Sequence, residues 1–243
     1  MISYGILVIG FGKEHLRLAR VALGQKSLLE GVPVHVLTDQ PPSVVRELPA
    51  GWTHTYFSGF TWRENRWVRT QANRWTPFDR TLFMDADQVV KKPGLRKFFE
   101  LPGELVLNPA LRWRPGDKVY RIYREVMETL KVQLPLTVYN GSLIRFDRGA
   151  VADALFSRWH ENWVLAGRGR DMAPLACAVK QLRLNVTEVP AGWYAGSMVE
   201  ERDAIIQHDF GPRFRLMYGL PRWPDNKPFD EGKAITDWEM VDL

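Results

Sequence analysis

Two carboxylates spaced i and i+2, Asp85 and Asp87, stand directly after the apolar run Leu82-Phe83-Met84. Residues at that spacing project to one side of a strand, so both could face a single divalent ion. Hard cations such as Mg²⁺ and Mn²⁺ prefer oxygen ligands and often share them with a phosphate. Two acids inside a buried strand would be very costly. The pair is therefore expected at a strand's carboxyl end, where open α/β sheets bind ligands in a crevice. A calcium hand would need a third oxygen ligand and a glycine soon after, and Gln88-Val89-Val90 supply neither. The alternative for so short a triplet is a pair of solvated acids in a turn.

The elements around this strand follow an α/β order. Ile6 to Ile9 is an apolar run closed by Gly10 and Gly12, and Leu16, Ala19, Ala22 and Leu23 then recur at helical spacing. Val32 to Asp39 reads as a second strand ending in an acid, and a β-α-β opening implies a parallel sheet with a right-handed crossover. Gly10-Phe11-Gly12 would serve as a phosphate cradle, but it lacks the third glycine of a dinucleotide fingerprint. His54 to Phe57 reads as a third strand, and Trp62 to Trp75 as one basic amphipathic helix leading into the acid-bearing strand.

Beyond it, Gly94 to Leu101 reads as a short helix, Leu105 to Leu107 as a strand and Val119 to Leu130 as a helix. Leu136 to Phe146 is a strand interrupted by Asn140-Gly141, which marks a bulge or close backbone approach, or else a hairpin turn. Val151 to Leu165 is an amphipathic helix. A further helix starts behind Asp171, whose default role is an N-cap. Asn185 to Val189 and Ala204 to Gly211 are strand-like, the latter containing His208 and ending in Gly211.

The 243 residues suit one domain, with 45% hydrophobic and 25% charged residues as in ordinary globular proteins. No stretch approaches the ~20 apolar residues of a membrane helix, and Met1 to Gly10 reads as a first strand rather than a leader. A single cysteine, Cys177, excludes an intramolecular disulfide and suits a core position in a reducing cytoplasm. The formal charge of +5 accompanies ten tryptophans. Basic residues and tryptophans interleave over residues 62–75 and 112–124, as on a surface that stacks bases and contacts phosphates. The same pattern also describes a solvated helix face with its tryptophans in the core.

In this order the motifs resemble those of a GT-A fold glycosyltransferase, closest to glycosyltransferase family 8 and its glycogenin-like and lipopolysaccharide-building members. The segment Arg69 to Asp87 is similar to the family's basic helix, Pro-aromatic-Asp turn and D-x-D strand. Tyr139 to Leu143 resembles its Asn-x-Gly segment, one residue shorter here. Arg170-Asp171 matches the acid of an Asp-Gln helix start, with Met172 in place of Gln, and His208 to Gly211 resembles its His-x-x-Gly motif. The Lys-Pro-Trp that often follows is absent, and Phe214-Arg215 stands there instead.

The resemblance implies an α/β GT-A fold, a Rossmann-like nucleotide-diphospho-sugar transferase, over residues 1–215. A nucleotide-binding half would span 1–87 and an acceptor half 88–215, with a tail at 216–243 acting as a lid or docking arm. It implies sugar transfer from a nucleoside-diphosphate sugar, UDP-linked by expectation, with retention. Asp85, Asp87 and His208 would hold Mn²⁺ or Mg²⁺. Gly10 and Asp39 would lie at the nucleoside, and Arg69, Ala86, Gly141, Gly211 and Arg215 along the diphosphate and donor. Asn140 and Asp171 would face the donor sugar and the reacting centre.

The acceptor would be anionic: a polysaccharide, a lipopolysaccharide or, with the Arg/Trp-rich stretches as its contact, DNA carrying a modified base that must be flipped out. Competing classes are a sugar-nucleotide pyrophosphorylase, for which Gly10-Phe11-Gly12-Lys13 is a poor loop, and a non-catalytic nucleic-acid-binding protein on a degenerate transferase fold.

Overall fold

A computed structural model describes residues 2–46, 48–196, 203–208 and 240–241 of the chain. The first half contains β1 (Tyr4–Ile9), α1 (Lys13–Ala22), β2 (Val34–Thr38), α2 (Pro42–Val45), β3 (Thr53–Tyr56), α3 (Asn65–Arg69), β4 (Arg80–Met84), β5 (Gln88–Val90) and α4 (Arg96–Glu100). The second contains β6 (Leu105–Trp113), β7 (Val119–Tyr120), α5 (Arg121–Thr129), β8 (Leu136–Asp147), α6 (Ala150–Leu165), α7 (Met172–Gln181), β9 (Thr187–Glu188), β10 (Tyr194–Ala195), β11 (Ile206–His208) and β12 (Met240–Val241). No described helix is long and apolar enough to cross a membrane.

The central sheet has seven strands in the order β3-β2-β1-β4-β8-β6-β9. Strands β3, β2, β1 and β4 run parallel, and β8 enters antiparallel between β4 and β6. Strict alternation along the buried strands feeds two cores. On one face Ile6, Val8, Val36, Leu82 and Met84 pack against Leu16 and Ala19 of α1 and Phe98 of α4. On the other, Leu7, Ile9, Leu37 and Phe83 meet Val68 of α3, Phe156 and Trp159 of α6 and Leu175 of α7. Helices cover both faces, so β1 and β4 read as continuous apolar runs rather than alternating ones. Cys177 is fully buried, in a third core between α5, α7 and the outer ends of β6 and β8.

Two expectations change. Residues 62–75 do not form one helix: a 3₁₀ turn at Trp62–Glu64, the short α3 and another 3₁₀ turn at Ala72–Arg74 share the stretch. The side chains of Thr70 and Gln71 both bond back to the Trp67 carbonyl, at 3.1 Å each, competing with the helical ladder at its end. The tryptophan rings also turn inward. Trp67 and Trp75 pack on the second core through Phe60 and Phe57, and Trp113 lies in the third core against Tyr123. Arg112 pairs with Glu188. These three rings are thus core material rather than a stacking platform.

The Asn140-Gly141 irregularity is a bulge rather than a hairpin turn. Strand β8 runs through it without a break, and its pairing with β6 slips between Leu107 and Asn108. The tail expected as a lid or arm lies outside the described residues apart from Met240–Val241, whose backbone pairs antiparallel with β7.

The edge of the sheet opposite the strands' carboxyl ends is closed by an ion network. Arg145, with its side chain wholly buried, donates to the carbonyls of Leu101, Pro102 and Gly103 just past α4 and pairs with Asp147. Asp147 also takes a bidentate bond from Arg80 at 2.7 and 2.6 Å. Arg145→Ala would leave three carbonyls without this donor and is expected to cost about 3–5 kcal/mol, measured as a lowered urea midpoint at unchanged slope.

His35 is buried in β2, its ring nitrogens 2.7 and 2.9 Å from the hydroxyls of Thr53 and Thr55. Burial, with His54 nearby, lowers it from 6.5 to about 4. A depressed folded value means that its contribution is complete above about 6.5 and is lost as pH falls toward 4. Urea titrations at pH 7 and pH 5 should show a smaller acid loss in His35→Gln than in the wild type.

Candidate active site

Strands β1, β2 and β4 end side by side, and Gly10, Asp39 and Asp85 follow them directly. All three therefore lie on one edge of the sheet. Asp39 Oδ1 accepts from the Gly12 amide at 2.7 Å and from the Gln40 side chain at 2.6 Å. Gly12 carries a φ of 78°, which needs glycine there. Gly10 has a different role: a Cβ at that position would come within 3.1 Å of Leu16 Cα, so its absence lets α1 pack on the turn. The Gly12 amide of this turn is taken by Asp39.

Asp85 continues the parity of Phe83, and Ala86 that of Met84. Ala86 is accordingly buried in the first core, while Asp85 turns to the second face and meets Arg69. The Arg69 guanidinium lies 5.8 Å from the Phe83 ring centroid, donates to Asp85 Oδ1 at 2.5 Å and to Asp171 Oδ2 at 3.1 Å. Asp171 precedes α7 but makes no capping bond with its side chain, so its N-cap reading gives way to an ion pair across 102 residues of sequence.

Burial raises Asp85 to about 6, with Arg69 opposing and Asp87 reinforcing the shift. For Arg69, burial works against the charged form, and the carboxylates of Asp85, Asp171 and Asp87 outweigh it and raise the net value.

After Asp85 the chain turns, with the Gln88 amide bonding to the Asp85 carbonyl, and β5 leaves the main sheet to pair with β11. In that register His208 stands opposite Gln88. This places His208 Nε2 3.2 Å from Asp87 Oδ1, and ligand atoms of Asp85, Asp87 and His208 fall within 4.8 Å of one another. Two carboxylates and an imidazole nitrogen suit Mn²⁺ or Mg²⁺, and His208 is buried with its second nitrogen held by hydroxyls, as metal-bound histidines usually are. The residues present fit such an ion.

Three residues that sequence reasoning missed complete the site. Tyr194 Oη lies 2.5 Å from His208 Nδ1 and accepts from Asn140 Nδ2 at 2.8 Å. Ser142 Oγ donates to Asn140 Oδ1 at 2.7 Å and accepts from Gln88 Nε2 at 2.7 Å. Tyr194 sits on a two-residue strand and carries no motif, Ser142 lies inside the Tyr139 to Leu143 segment without a role read for it, and Gln88 directly follows the acid pair. Asn140 thus has its oxygen committed to Ser142. Gly141 faces Trp159, which a Cβ would approach to 3.5 Å, an ordinary contact. Gly211 and Arg215 lie outside the described residues.

No family model matches the sequence, and no curated protein does. Solved structures do match. A galactosyltransferase, LgtC, in complex with donor and acceptor sugar analogues superposes with a TM-score of 0.59 at 11% identity, over 91% of this chain and 98% of the other. Mouse xyloside xylosyltransferase 1 gives 0.54 at 16% identity, over 85% and 97%. The bifunctional glycosyltransferase WbbM gives 0.57 at 11% identity, over 98% of this chain but 52% of the larger protein. At these identities the likeness speaks to architecture, and the architecture is that of the GT-A glycosyltransferases.

Proposed function

We propose that the protein is a metal-dependent glycosyltransferase of the family 8 type. It moves a sugar from a nucleoside diphosphate, UDP by resemblance, to a saccharide or lipopolysaccharide acceptor with retention of configuration. The observation that carries this reading is the meeting of Asp85, Asp87 and His208 beside Arg69, at the carboxyl edge of a GT-A sheet. Residues 1–87 form the nucleotide half in this reading and 88–215 the acceptor half.

A divalent ion held by Asp85, Asp87 and His208 would supply the positive charge that stabilises a departing diphosphate. Arg69 contributes a fixed cation beside it. Its guanidinium is restrained by two carboxylates and the face of Phe83, so it needs no reorganisation as charge develops on the leaving group. Asp171, buried and held by Arg69, would face the reacting carbon, where its negative charge would favour an oxocarbenium-like centre. Asp39, fixed by the Gly12 amide, takes the nucleoside end. The inward-facing rings of Trp67, Trp75 and Trp113 supply no stacking surface for a flipped base and favour a saccharide acceptor over DNA.

Donor hydrolysis in the absence of acceptor provides the test. With a panel of sugar nucleotides and Mn²⁺, the wild type is expected to release nucleoside diphosphate from one donor, and EDTA to abolish release. Asp87→Ala should lower the rate by at least about 10²-fold, the scale of losing one term of charge stabilisation. Release from no donor, with no metal-dependent nucleotide binding by calorimetry, would contradict the proposal.

A further inference from the structure

The contacts behind His208 can all be given a proton in an arrangement that sets the histidine's tautomer. A backbone amide can only donate. The Ser142 amide donates to the Asn140 side chain at 3.0 Å, so the atom it meets must be Oδ1, and the amide nitrogen Nδ2 must face Tyr194. Oδ1 cannot donate, so the 2.7 Å contact between it and Ser142 Oγ uses the serine's only proton. Ser142 Oγ must then accept in its other contacts, including the 3.3 Å contact with Tyr194 Oη.

The one phenol proton of Tyr194 faces two acceptors: given to Nδ1 it would leave the 3.3 Å contacts of Ser142 Oγ with Tyr194 and with Nδ1 without a hydrogen, whereas given to Ser142 it leaves both served. With that proton spent, Tyr194 Oη can only accept across its 2.5 Å contact with His208, and Nδ1 must carry a hydrogen. Every donor and acceptor in the chain from Asn140 to His208 is used in this arrangement. The other imidazole nitrogen, Nε2, is the one that faces Asp87.

On this basis, and resting on the metal-site reading above, we propose that Tyr194 is a positioning residue that holds His208 as the Nδ1–H tautomer, with the Nε2 lone pair presented to the space shared with Asp85 and Asp87. Asn140 and Ser142 set the direction of the tyrosine's proton. Asn140 thereby acquires a task behind the metal ligand. The arrangement is local to the site: β10, which carries Tyr194, pairs with β11, which carries His208, so the two side chains are held by one small sheet.

Two variants test the assignment, Tyr194→Phe and Ser142→Ala, each compared with the wild type by ¹⁵N imidazole shifts of the metal-free protein and by titration with Mn²⁺ alone, followed by the electron paramagnetic resonance signal of the free ion. The wild type is expected to show His208 as the Nδ1–H tautomer. Tyr194→Phe should lose that preference and bind Mn²⁺ about 10- to 100-fold more weakly, the usual cost of removing a partner behind a metal ligand, with its urea midpoint little changed. Ser142→Ala, by freeing the tyrosine proton to turn toward Nδ1, should move the population toward Nε2–H.

A wild-type histidine already in the Nε2–H form would overturn the proposal. So would both variants keeping wild-type shifts and wild-type Mn²⁺ affinity. If the wild type shows the Nδ1–H tautomer and loses it in the variants but takes up no Mn²⁺, the assignment of Tyr194 stands and the metal-site reading fails.

Discussion

Excess negative charge at the end of β4 is the constraint on which the rest of this structure depends. Asp85, Asp87 and Asp171 converge where the sheet gives out, and Arg69 is the guanidinium that bonds directly to two of them. Carboxylates taken partly out of water are tolerated only when paired or when they coordinate a cation. Arg69 answers part of that demand, and the Asp85, Asp87 and His208 group is one that could hold a metal ion. The elevated position of Asp85, caused first by its burial, expresses the same imbalance.

The scaffold divides its work between two edges. At one edge Arg80, Arg145 and Asp147 form a network satisfied by backbone carbonyls, with Arg145 sealed from solvent. At the other, three-residue loops after β1, β2 and β4 bring Gly10, Asp39 and Asp85 into line, as expected where open α/β sheets bind ligands. The departure of β5 into a second sheet is the decisive local event. It turns the chain away directly after Asp87 and recruits β11 from near the end of the described chain, so that two carboxylates and a distant histidine meet.

Much of this was legible because the signals were local. An apolar run ending in Asp85 could not sit anywhere but at a strand's end, and the β-α-β opening followed from Gly10 and the spacing of Leu16, Ala19 and Leu23. The alternation of Arg and Trp over residues 62–75 was ambiguous, since the same letters describe a solvated helix and a stacking surface. Only the packing of Trp67 and Trp75 on Phe60 and Phe57 decides it. Side-chain bonds from Thr70 and Gln71 to one carbonyl broke a helix that periodicity alone would continue. Asp171 was found at its helix start, but its partner Arg69 lies on another element. Tyr194 was invisible, because a lone tyrosine in a short strand has no pattern, and its role exists only through Asn140, Ser142 and His208.

Asp85, Asp87 and His208 are proposed to hold a divalent cation at a nucleotide's diphosphate. Anomalous diffraction at the manganese edge, from crystals soaked in Mn²⁺ and a nucleoside diphosphate, would locate the ion. One strong peak is expected within roughly 2.0–2.4 Å of a carboxylate oxygen from each aspartate and of His208 Nε2, with diphosphate oxygens completing the shell. A peak elsewhere, or bound nucleotide with no peak among these three residues, would contradict it.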